Sequence, residues 1–502
     1  MAARDDMKRS SFISAEKLET ESGKLKTENR EPKTENRKPK TENRKPKTDN
    51  QLMSLYDAIQ TYHDLLANEL AAESQAQLED QLERRGLFFG DRPLCTVLRP
   101  RFLTHEQYRY LQARCGLLLR AFDKAYRGAI ADKTFRSQFG LTGWEEELVQ
   151  YSPGYRDASP TSRLDAFFVP GTGELRFTEY NAETPAGVAY NDSLSEVFYG
   201  LRVMREFLRK YDVRPLLARH NVVHALLDAY HQWTGRREAP RIAIVDWREV
   251  PTYSEFTLFA EYIKSQGLEC VIVDPRETEY TNGHLYAYGT PINMIYKRVL
   301  LSELYDRGGM DQPVFRAVRE GAVAMVNSFR CKILHKKASL AVLSDERNAG
   351  LFTADEIEAI DAHIPWTRRV EERRTVYRHS QVDLVPFVTD HRDWFVLKPN
   401  DEYGGKGIVL GWLTPAEEWA RNVKEALATP YVVQERATIP KEAFPSMVNG
   451  RVEFIDRILD TNPYVFYGDY VDGCLTRLST AALVNVTAGG GSSVATFLAE
   501  KR

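Results

Sequence analysis

Apolar residues follow a helical spacing through much of the first half of the chain. From Gln51 to Gly86 they recur at steps of three and four residues, which predicts an amphipathic helix. The same spacing predicts further helix through 105–150 and again across 192–234. The folded part of the chain is therefore expected to open with an α-rich segment.

Between these helical stretches the pattern changes to that of strands. Two short runs rich in aromatic and β-branched residues lie on either side of Pro-Gly-Thr-Gly at 170–173. Turn residues between two such runs are typical of a β-hairpin. We therefore predict one strand around 164–169 and its partner around 175–180.

From 241 onward, apolar strands alternate with helical spacing. RIAIVDW, LECVIVDP and INMIYKRV have the pattern of buried strands, and 253–266 that of a helix. Strands that alternate with helices predict a parallel, Rossmann-like sheet. No G-x-G-x-x-G motif follows the first strand, so dinucleotide binding is not indicated.

A third region combines a lysine with a glycine-rich loop. In FVLKPNDEYGGKGIVLG an apolar strand delivers Lys398, and Gly404, Gly405 and Gly407 then surround Lys406 before the next apolar run. Glycines let backbone amides approach a phosphate closely, and lysines offset its charge. A Walker A loop would instead open a helix with G-K-[ST]. The motif predicts a phosphate-binding loop, with a simple glycine hairpin as the alternative.

Another apolar strand, YVVQERA, ends in Gln434 and Glu435. In a nucleotide site, such a strand end could offer backbone groups to an adenine edge and a carboxylate to the ribose hydroxyls. Many buried strands end in this way without binding anything. The segment is therefore a nucleotide-site candidate only in combination with other motifs.

The predicted hairpin carries oxygen-bearing side chains. Glu179 and Asn181 lie two residues apart and share one face of their strand, and Asp165 lies on the partner strand. Such a set suits Mg²⁺, which prefers carboxylate and carboxamide oxygens and keeps phosphates as further ligands. Arg163 shares a face with Asp165 and would lie beside those phosphates. The alternative is ordinary solvated hairpin polarity.

The strand INMIYKRV ends in Lys297 and Arg298, which point to opposite faces. Ligands tend to bind at the carboxyl edge of a parallel sheet, so Arg298 is a candidate partner for a substrate carboxylate. A structural ion pair is the alternative. His335 is expected to be an ordinary surface or capping residue.

Charge is distributed unevenly along the 502 residues. Residues 1–50 hold 14 basic against 10 acidic residues and repeat the motif KTENRKP without any apolar position, which predicts a disordered low-complexity tail. This tail precedes a second candidate start at Met53. Residues 51–502 hold 54 basic against 61 acidic residues, and this mildly acidic body makes nucleic acid an improbable main partner.

The remaining composition excludes membrane classes. No run approaches the roughly 20 apolar residues that a membrane helix needs, and the N-terminus lacks the apolar core of a secretory signal. Hydrophobic residues make up 43% and charged residues 28%, which is typical of soluble globular proteins. The sequence therefore predicts a cytoplasmic protein without a membrane partner.

Taken together, these motifs resemble the circularly permuted ATP-grasp family, in particular its glutathionylspermidine synthetase-like group. The order of motifs carries the resemblance, because the acidic hairpin precedes the lysine and glycine-loop part by over 200 residues, whereas ordinary ATP-grasp chains have the reverse order. The resemblance implies an α/β (α+β) fold with an inserted Rossmann-like pre-ATP-grasp domain and an α-rich N-terminal part. The implied organisation is a tail at 1–50, an α-rich segment with the metal-binding hairpin at 51–240, the Rossmann-like domain at 241–329 and the nucleotide-binding portion at 330–502.

The resemblance also implies roles for single residues. Asp165, Glu179 and Asn181 would hold Mg²⁺, and Arg163 would steady the transferred phosphoryl group. NSFRCKILHKKASLAVLSDE matches a family segment with a second ATP-contacting lysine, which falls on Lys337 with Lys336 as a competitor. The remaining implied contacts are Lys398 with the triphosphate, Gly404, Gly405, Lys406 and Gly407 as a lid, Gln434 and Glu435 as the adenine and ribose hinge, and Asn485 over the substrate.

The activity implied by the resemblance is ATP-dependent ligation of a small carboxylate to a small amine. The γ-phosphoryl group passes to the carboxylate, the amine attacks the resulting acyl phosphate, and ADP and phosphate are released. Residues 51–150 show no Cys/His amidase pair, so only the synthetase half is implied, and the sequence identifies neither substrate. Two alternatives remain open, an ATP-grasp phosphotransferase that acts on a small molecule and a non-catalytic nucleotide-binding protein.

Overall fold

The computed structural model describes residues 48–481 and 491–502, which belong to one compact unit from Lys45 to Arg502. Almost all of the predicted tail lies outside these residues, as does Asn485. The fold is a mixed α/β arrangement, as predicted. In the described part of the chain, no helix is both long and apolar enough to cross a membrane. The α-helices are Thr48–Leu65, Ala71–Arg84, His105–Ala131, Lys133–Arg136, Gly143–Leu148, Val188–Gly200, Arg202–Phe207, Arg219–Thr234, Tyr253–Ser265, Leu301–Gly308, Pro313–Arg319, Cys331–His335, Ala338–Ser344, Ala354–His363, Leu384–Asp390 and Ala416–Glu425.

The α-rich opening is confirmed, with two corrections. A wide turn at Leu66–Leu70 interrupts the first predicted helix. The stretch 192–234 is not helical throughout, because the strand Tyr211–Pro215 lies between its helices. This strand pairs with Thr496–Lys501 at the far end of the chain, and Arg101–Leu103 completes their three-stranded sheet. Spacing along the sequence cannot show a partner so distant.

A seven-stranded sheet forms the centre of the molecule, and we call it the large sheet. The predicted hairpin is confirmed as Thr161–Val169 and Glu174–Asn181, at one edge of this sheet. The helix His105–Ala131 packs its apolar side against the hairpin in one continuous core. The strands in spatial order are Lys441–Val448, Arg451–Leu459, Tyr470–Ser479, Asn462–Phe466, Thr161–Val169 and Glu174–Asn181, with Ser492–Val494 paired to Tyr470–Ser479.

The predicted parallel sheet is also confirmed. Its four strands, in spatial order, are Ala324–Val326, Met294–Lys297, Arg241–Val245 and Glu269–Val273. Buried apolar residues cover both of its faces. The sequence pattern missed an antiparallel meander of three short strands that intervenes before Met294, at Thr278–Thr281, His284–Ala287 and Thr290–Ile292.

A smaller antiparallel sheet, here the small sheet, carries the lysine and Gln-Glu motifs. Its strands, in spatial order, are Thr367–Arg369, Tyr431–Glu435, Phe395–Pro399 and Val409–Leu410. The helices Leu384–Asp390 and Ala416–Glu425 cover one face with a separate apolar core. Short two-stranded sheets also occur at Phe88–Phe89 with Arg92–Pro93 and at Arg374–Tyr377 with Ser380–Asp383.

A buried group of ionised side chains connects these parts. Lys332 lies at its centre, with Nζ 3.0 Å from Oε2 of Glu183 and 2.7 Å from both carboxylate oxygens of Asp401. Lys336 contacts Asp401 and Glu145, each at 2.8 Å. Charges buried away from water need partners, because an unpaired one costs several kcal/mol.

With Lys297, which lies 3.4 Å from Glu183, this group forms what we call the ion network: Glu145, Glu183, Lys297, Lys332, Lys336 and Asp401. Three lysines face three carboxylates, so the charges balance. The carboxylates come from the helical opening, from the end of the acidic hairpin and from the base of the glycine loop. The network therefore fixes the position of three segments that are distant in sequence.

Replacement of Lys332 by methionine should lower the free energy of unfolding by about 3–5 kcal/mol, because Glu183 and Asp401 would lose their common buried partner. Urea unfolding measures this. Lys424→Met removes an exposed lysine from the helix Ala416–Glu425 and should change stability by no more than about 0.5 kcal/mol. Equal stabilities of the two variants would contradict the proposed importance of the network.

Candidate functional site

A cleft lies between the large sheet and the small sheet. Its lining brings together six residues singled out in the sequence, which are Asp165, Glu179, Lys398, Gly404, Gly405 and Gln434. The hairpin supplies one wall, and the lysine strand with its glycine loop supplies the other. Motifs more than 200 residues apart in the chain thus meet at one site.

A β-bulge aims the acidic residues at this cleft. Phe177 and Tyr180 both pack into the core beside the long helix, although they are three residues apart. A regular strand would send them to opposite faces, and the register shifts by one residue at Thr178 to allow this packing. Beyond the shift, Glu179 and Asn181 share the face opposite Tyr180. Core packing therefore dictates the direction of the oxygen-bearing side chains.

Two arginines hold the first carboxylate of the site. Arg163 binds Asp165 through two hydrogen bonds of 2.6 and 2.9 Å. Arg477 donates a 2.9 Å hydrogen bond to Asp165 and a 2.6 Å bond to Asp460. Burial by itself would raise the pKa of Asp165, but the two guanidinium groups outweigh burial and hold the pKa below its ordinary value. Asp165 therefore stays ionised in an almost dry environment.

Two lysines approach the second carboxylate. Lys337 lies 3.2 Å from Oε1 of Glu179. Lys398 donates to the backbone oxygen of Thr178 at 3.1 Å and to Oε1 of Gln434 at 2.7 Å. Burial, together with the positive charge of Lys337, lowers the pKa of Lys398 to about 8, although the carboxylate of Glu179 opposes the shift. The two lysines form a cationic surface beside Glu179 that suits a polyphosphate.

The residues predicted to hold Mg²⁺ fit a hard cation in part. Oδ1 of Asn181 is buried without a hydrogen-bond partner in the described structure, and such an orphaned acceptor is a natural metal ligand. The carboxylate of Glu179 contacts Lys337 through Oε1, at 3.2 Å. Both oxygens of Asp165 already accept from arginines, so coordination there would have to compete with these bonds. The donor set is of the correct chemical type.

A second group of possible ligands lies in the ion network. Ligand atoms of Glu183, His335 and Asp401 lie within 4.8 Å of one another. Lys332 already lies between the two carboxylates, and Lys297 and Lys336 complete the charge balance, so this group needs no metal. His335 is buried, contrary to the prediction of a surface residue, and burial lowers its pKa to about 4. The lysines on either side of His335 made an exposed position the natural prediction, but these lysines are buried as well.

The same network separates the two competing lysines. Lys336 contacts Glu145 and Asp401 at 2.8 Å and so belongs to the ion network. Lys337 instead reaches Glu179 and donates to the backbone oxygen of Glu402 at 2.6 Å. The geometry therefore favours Lys337 for contact with a ligand in the cleft.

The glycine loop has a fixed base and an open tip. Its glycines have left-handed backbone conformations that favour glycine, with φ of 65° at Gly404, 76° at Gly405 and 71° at Gly407. A Cβ atom at Gly407 would also lie 2.7 Å from the ring of Pro399. Lys406 is exposed and pairs with Glu402 at 3.3 Å. It does not reach the cleft in this conformation.

The Gln-Glu strand divides its two polar residues between opposite faces. Gln434 lies in the cleft, where it accepts from Lys398 and donates to Oγ1 of Thr367 at 3.0 Å. Glu435 does not line the cleft and accepts hydrogen bonds from Tyr377 at 2.7 Å and Arg378 at 2.8 Å. The structure therefore brings only Gln434 of this pair to the predicted site.

Arg298 also lies outside the cleft lining. It pairs with Glu255 at 3.3 Å and donates to the backbone oxygen of Pro185 and to Oη of Tyr296. These contacts correspond to the structural ion pair considered as its alternative, because they hold the segment that follows the hairpin. Substrate contact by Arg298 is not supported by this geometry. The predicted contact of Asn485 lies outside the described residues.

Sequence reasoning missed several residues of the cleft. Arg477 and Asp460 line it from the large sheet, and Trp412 and Arg436 line it from the segments next to the small sheet. Arg477 was detectable in principle, because it is a charged residue between Leu475 and Leu478 in a run with a strand pattern, CLTRLS. Asp460 gave no such signal, since it follows a strand end where acidic residues are common.

Comparison with solved structures identifies a related fold. The apo structure of a glutathione synthetase-like effector from Globodera pallida aligns with 87% of this chain and 95% of that protein, at a TM-score of 0.52 and 13% identity. This likeness establishes a shared fold. No family model matches the chain.

Distant curated relatives extend the comparison. An uncharacterized Synechocystis protein is 23% identical over 348 residues, which are 64% of this chain and 66% of that protein. A Frankia alni protein with the provisional name glutamate–cysteine ligase 2-3 is 21% identical over 467 residues, 87% of this chain and 51% of that protein. The chain thus spans between half and two thirds of the length of these relatives.

The lowered pKa of Lys398 predicts a pH-dependent site. If the lysine contacts phosphates, binding favours its charged form, so the affinity for ATP should fall above pH 8, by up to about tenfold per pH unit. Calorimetric titration with Mg·ATP from pH 7 to 9.5 measures this. Lys398→Arg should flatten the dependence and Lys398→Met should weaken binding throughout the range. A wild-type affinity independent of pH would contradict this role.

Proposed function

We propose that this protein is an ATP-dependent carboxylate–amine ligase with a circularly permuted ATP-grasp architecture, similar to the synthetase half of glutathionylspermidine synthetase. The observation that carries the proposal is the convergence of cations and metal-type ligands at one cleft, which Asp165, Glu179 and Lys398 line. Lys337, Lys398 and Arg163 lie beside the carboxylates of Asp165 and Glu179. A site built only to bind a neutral molecule would need neither these cationic side chains nor the carboxylates beside them.

ATP would lie along the cleft between the two sheets. Val396, Ile408 and Leu410 provide an apolar surface for the adenine, and Gln434 lies at the same end. The triphosphate would extend past Lys398 towards Lys337 and the acidic hairpin. The glycine loop would then close over the phosphates, which brings Lys406 from solvent towards their charge.

The reaction consists of two transfers. A carboxylate oxygen of the first substrate attacks the γ-phosphorus, and the bond between this phosphorus and the β-phosphate oxygen breaks. The products of this step are ADP and an acyl phosphate. The amine nitrogen of the second substrate then attacks the acyl carbon and loses a proton to solvent. Breakage of the bond between the carbon and the phosphate oxygen releases phosphate and leaves an amide.

The protein's contribution is positioning and charge stabilisation. Negative charge builds up on the transferred phosphoryl group, and the buried guanidinium of Arg163 and the partly exposed one of Arg477 lie beside Asp165 to offset it. Mg²⁺ bound by Asp165, Glu179 and Asn181 would supply further neutralisation of the phosphates. Loop closure would exclude water, which otherwise hydrolyses an acyl phosphate.

The names of the relatives agree with this class of reaction without identifying the substrates. The Frankia protein is named as a glutamate–cysteine ligase, and the Globodera effector resembles glutathione synthetase. Both names denote formation of a bond between a carboxylate and an amine. The carboxylate and amine substrates of this chain are to be found by experiment.

Turnover should depend on the acidic hairpin. The full chain is incubated with ATP, Mg²⁺ and pools of small carboxylates and amines, and ADP release and product mass are measured. Glu179→Gln should lower kcat by roughly 10²–10³, or about 3–4 kcal/mol, because it would weaken the binding of the Mg²⁺ that neutralises the phosphates. Glu174→Gln, on the same strand but outside the cleft, should leave kcat within about twofold.

The same assay separates the alternatives. ADP release that needs no amine, together with a phosphorylated product, would indicate a phosphotransferase. Binding of ATP without ADP release across all pools would indicate a nucleotide-binding protein without catalysis. Full activity of Glu179→Gln would show that the site is assigned to the wrong residues.

A further inference from the structure

The floor of the cleft continues into a second depression on the large sheet. Asp460 and Arg477 lie opposite each other across two neighbouring strands, and Ile458 and Ser479 form the next outward pair on the same face. Lys441 pairs with Ile458 from the edge strand. We call this depression the outer groove, and its lining is Trp412, Arg436, Ala437, Thr438, Ile439, Lys441, Asp456, Ile458, Ser479, Thr480 and Ala481.

The outer groove is continuous with the nucleotide cleft. Trp412, Arg436, Ala437 and Ile439 line both. Two residues along a strand span about 7 Å, so Lys441 lies roughly that far from the row of Asp460 and Arg477. A small molecule in the groove could therefore present one end to the reacting phosphoryl group.

The charges of the groove are available to a ligand. Lys441 and Asp456 are exposed, and neither forms an ion pair with another residue in the described part of the chain. The guanidinium of Arg436 lies over the ring of Trp412, 4.2 Å from its centre. By contrast, Asp165, Asp460 and Arg477 in the inner cleft are paired with one another.

The arrangement of these charges differs between the two ends. Asp460 lies at the inner end, in the reacting row, whereas Asp456 lies four residues away along the strand, at the outer end beyond Lys441. Lys441 and Arg436 would bind a carboxylate of the substrate that takes no part in the reaction. With the cations Lys441 and Arg436 against the single acid Asp456 in its lining, the groove disfavours a ligand that carries only positive charges.

We propose that the outer groove binds the amine substrate of the ligase, and that this substrate carries a carboxylate, as an amino acid or short peptide does, and is not a polyamine. The proposal rests on the proposed function and adds a substrate class to it. Lys441 and Arg436 would hold the carboxylate that does not react, while the amine enters beside Asp460.

Pairs of amines that differ by one carboxylate test this. With ATP, Mg²⁺ and the carboxylate substrate found by the pool assay, lysine is compared with cadaverine and ornithine with putrescine, with spermidine as a third polycation. The proposal expects kcat/KM to be at least about tenfold higher for the amino acid of each pair. Equal or better use of the decarboxylated amines would overturn it while leaving the ligase function intact. Absence of ADP release with every amine would overturn both.

A charge reversal separates recognition from folding. Lys441→Glu should raise KM for the amino acid by roughly tenfold, lower KM for the diamine and leave KM for ATP unchanged. Lys424→Glu, at an exposed lysine outside the groove, should change none of these values. An unchanged preference in Lys441→Glu would overturn the assignment of the groove.

Discussion

The burial of Lys332 between Glu183 and Asp401 is the constraint on which the rest of the site depends. A lysine in such a dry position needs carboxylate partners, and its two partners come from the end of the acidic hairpin and from the base of the glycine loop. Lys336 extends the contact to Glu145 of the helical opening. The requirement for charge balance thus fixes the positions of segments from three regions of the chain relative to one another.

From this fixed base the site combines rigid and adjustable parts. Asn400 holds the start of the loop, since its side chain accepts from the backbone of Ala338 at 2.8 Å and donates to the backbone oxygen of Phe139 at 2.9 Å. Beyond Glu402, Tyr403 donates to Oε1 of Glu303 at 3.3 Å and Lys406 is exposed, and the glycines of the tip allow the backbone to move. We therefore expect the position of Lys398 and Glu179 to be set in advance and the lid to respond to the ligand.

Local sequence patterns predicted the helices and strands. Long-range packing determined how these elements pair and which of their side chains reach the cleft. The hairpin, the parallel sheet and the lysine strand followed from spacing and turn residues. The strand Tyr211–Pro215 could not be predicted, because its partner is at the other end of the chain. His335 was expected at the surface, but it is buried beside Lys332 and Lys336, whose burial is allowed by carboxylates from distant segments. Arg298 and Glu435 had the right residue types and were used for structural ion pairs instead.

The central claim is that Mg·ATP binds between the hairpin and the glycine loop. Hydrogen exchange measured by mass spectrometry, with and without Mg·ATP, tests this most directly because it locates the ligand without knowledge of the substrates. We expect slower exchange in peptides that cover 161–181, 396–410 and 431–437, and little change at the carboxyl edge of the parallel sheet. Protection confined to that edge, around 245–250 and 273–277, or no protection at all, would contradict the account.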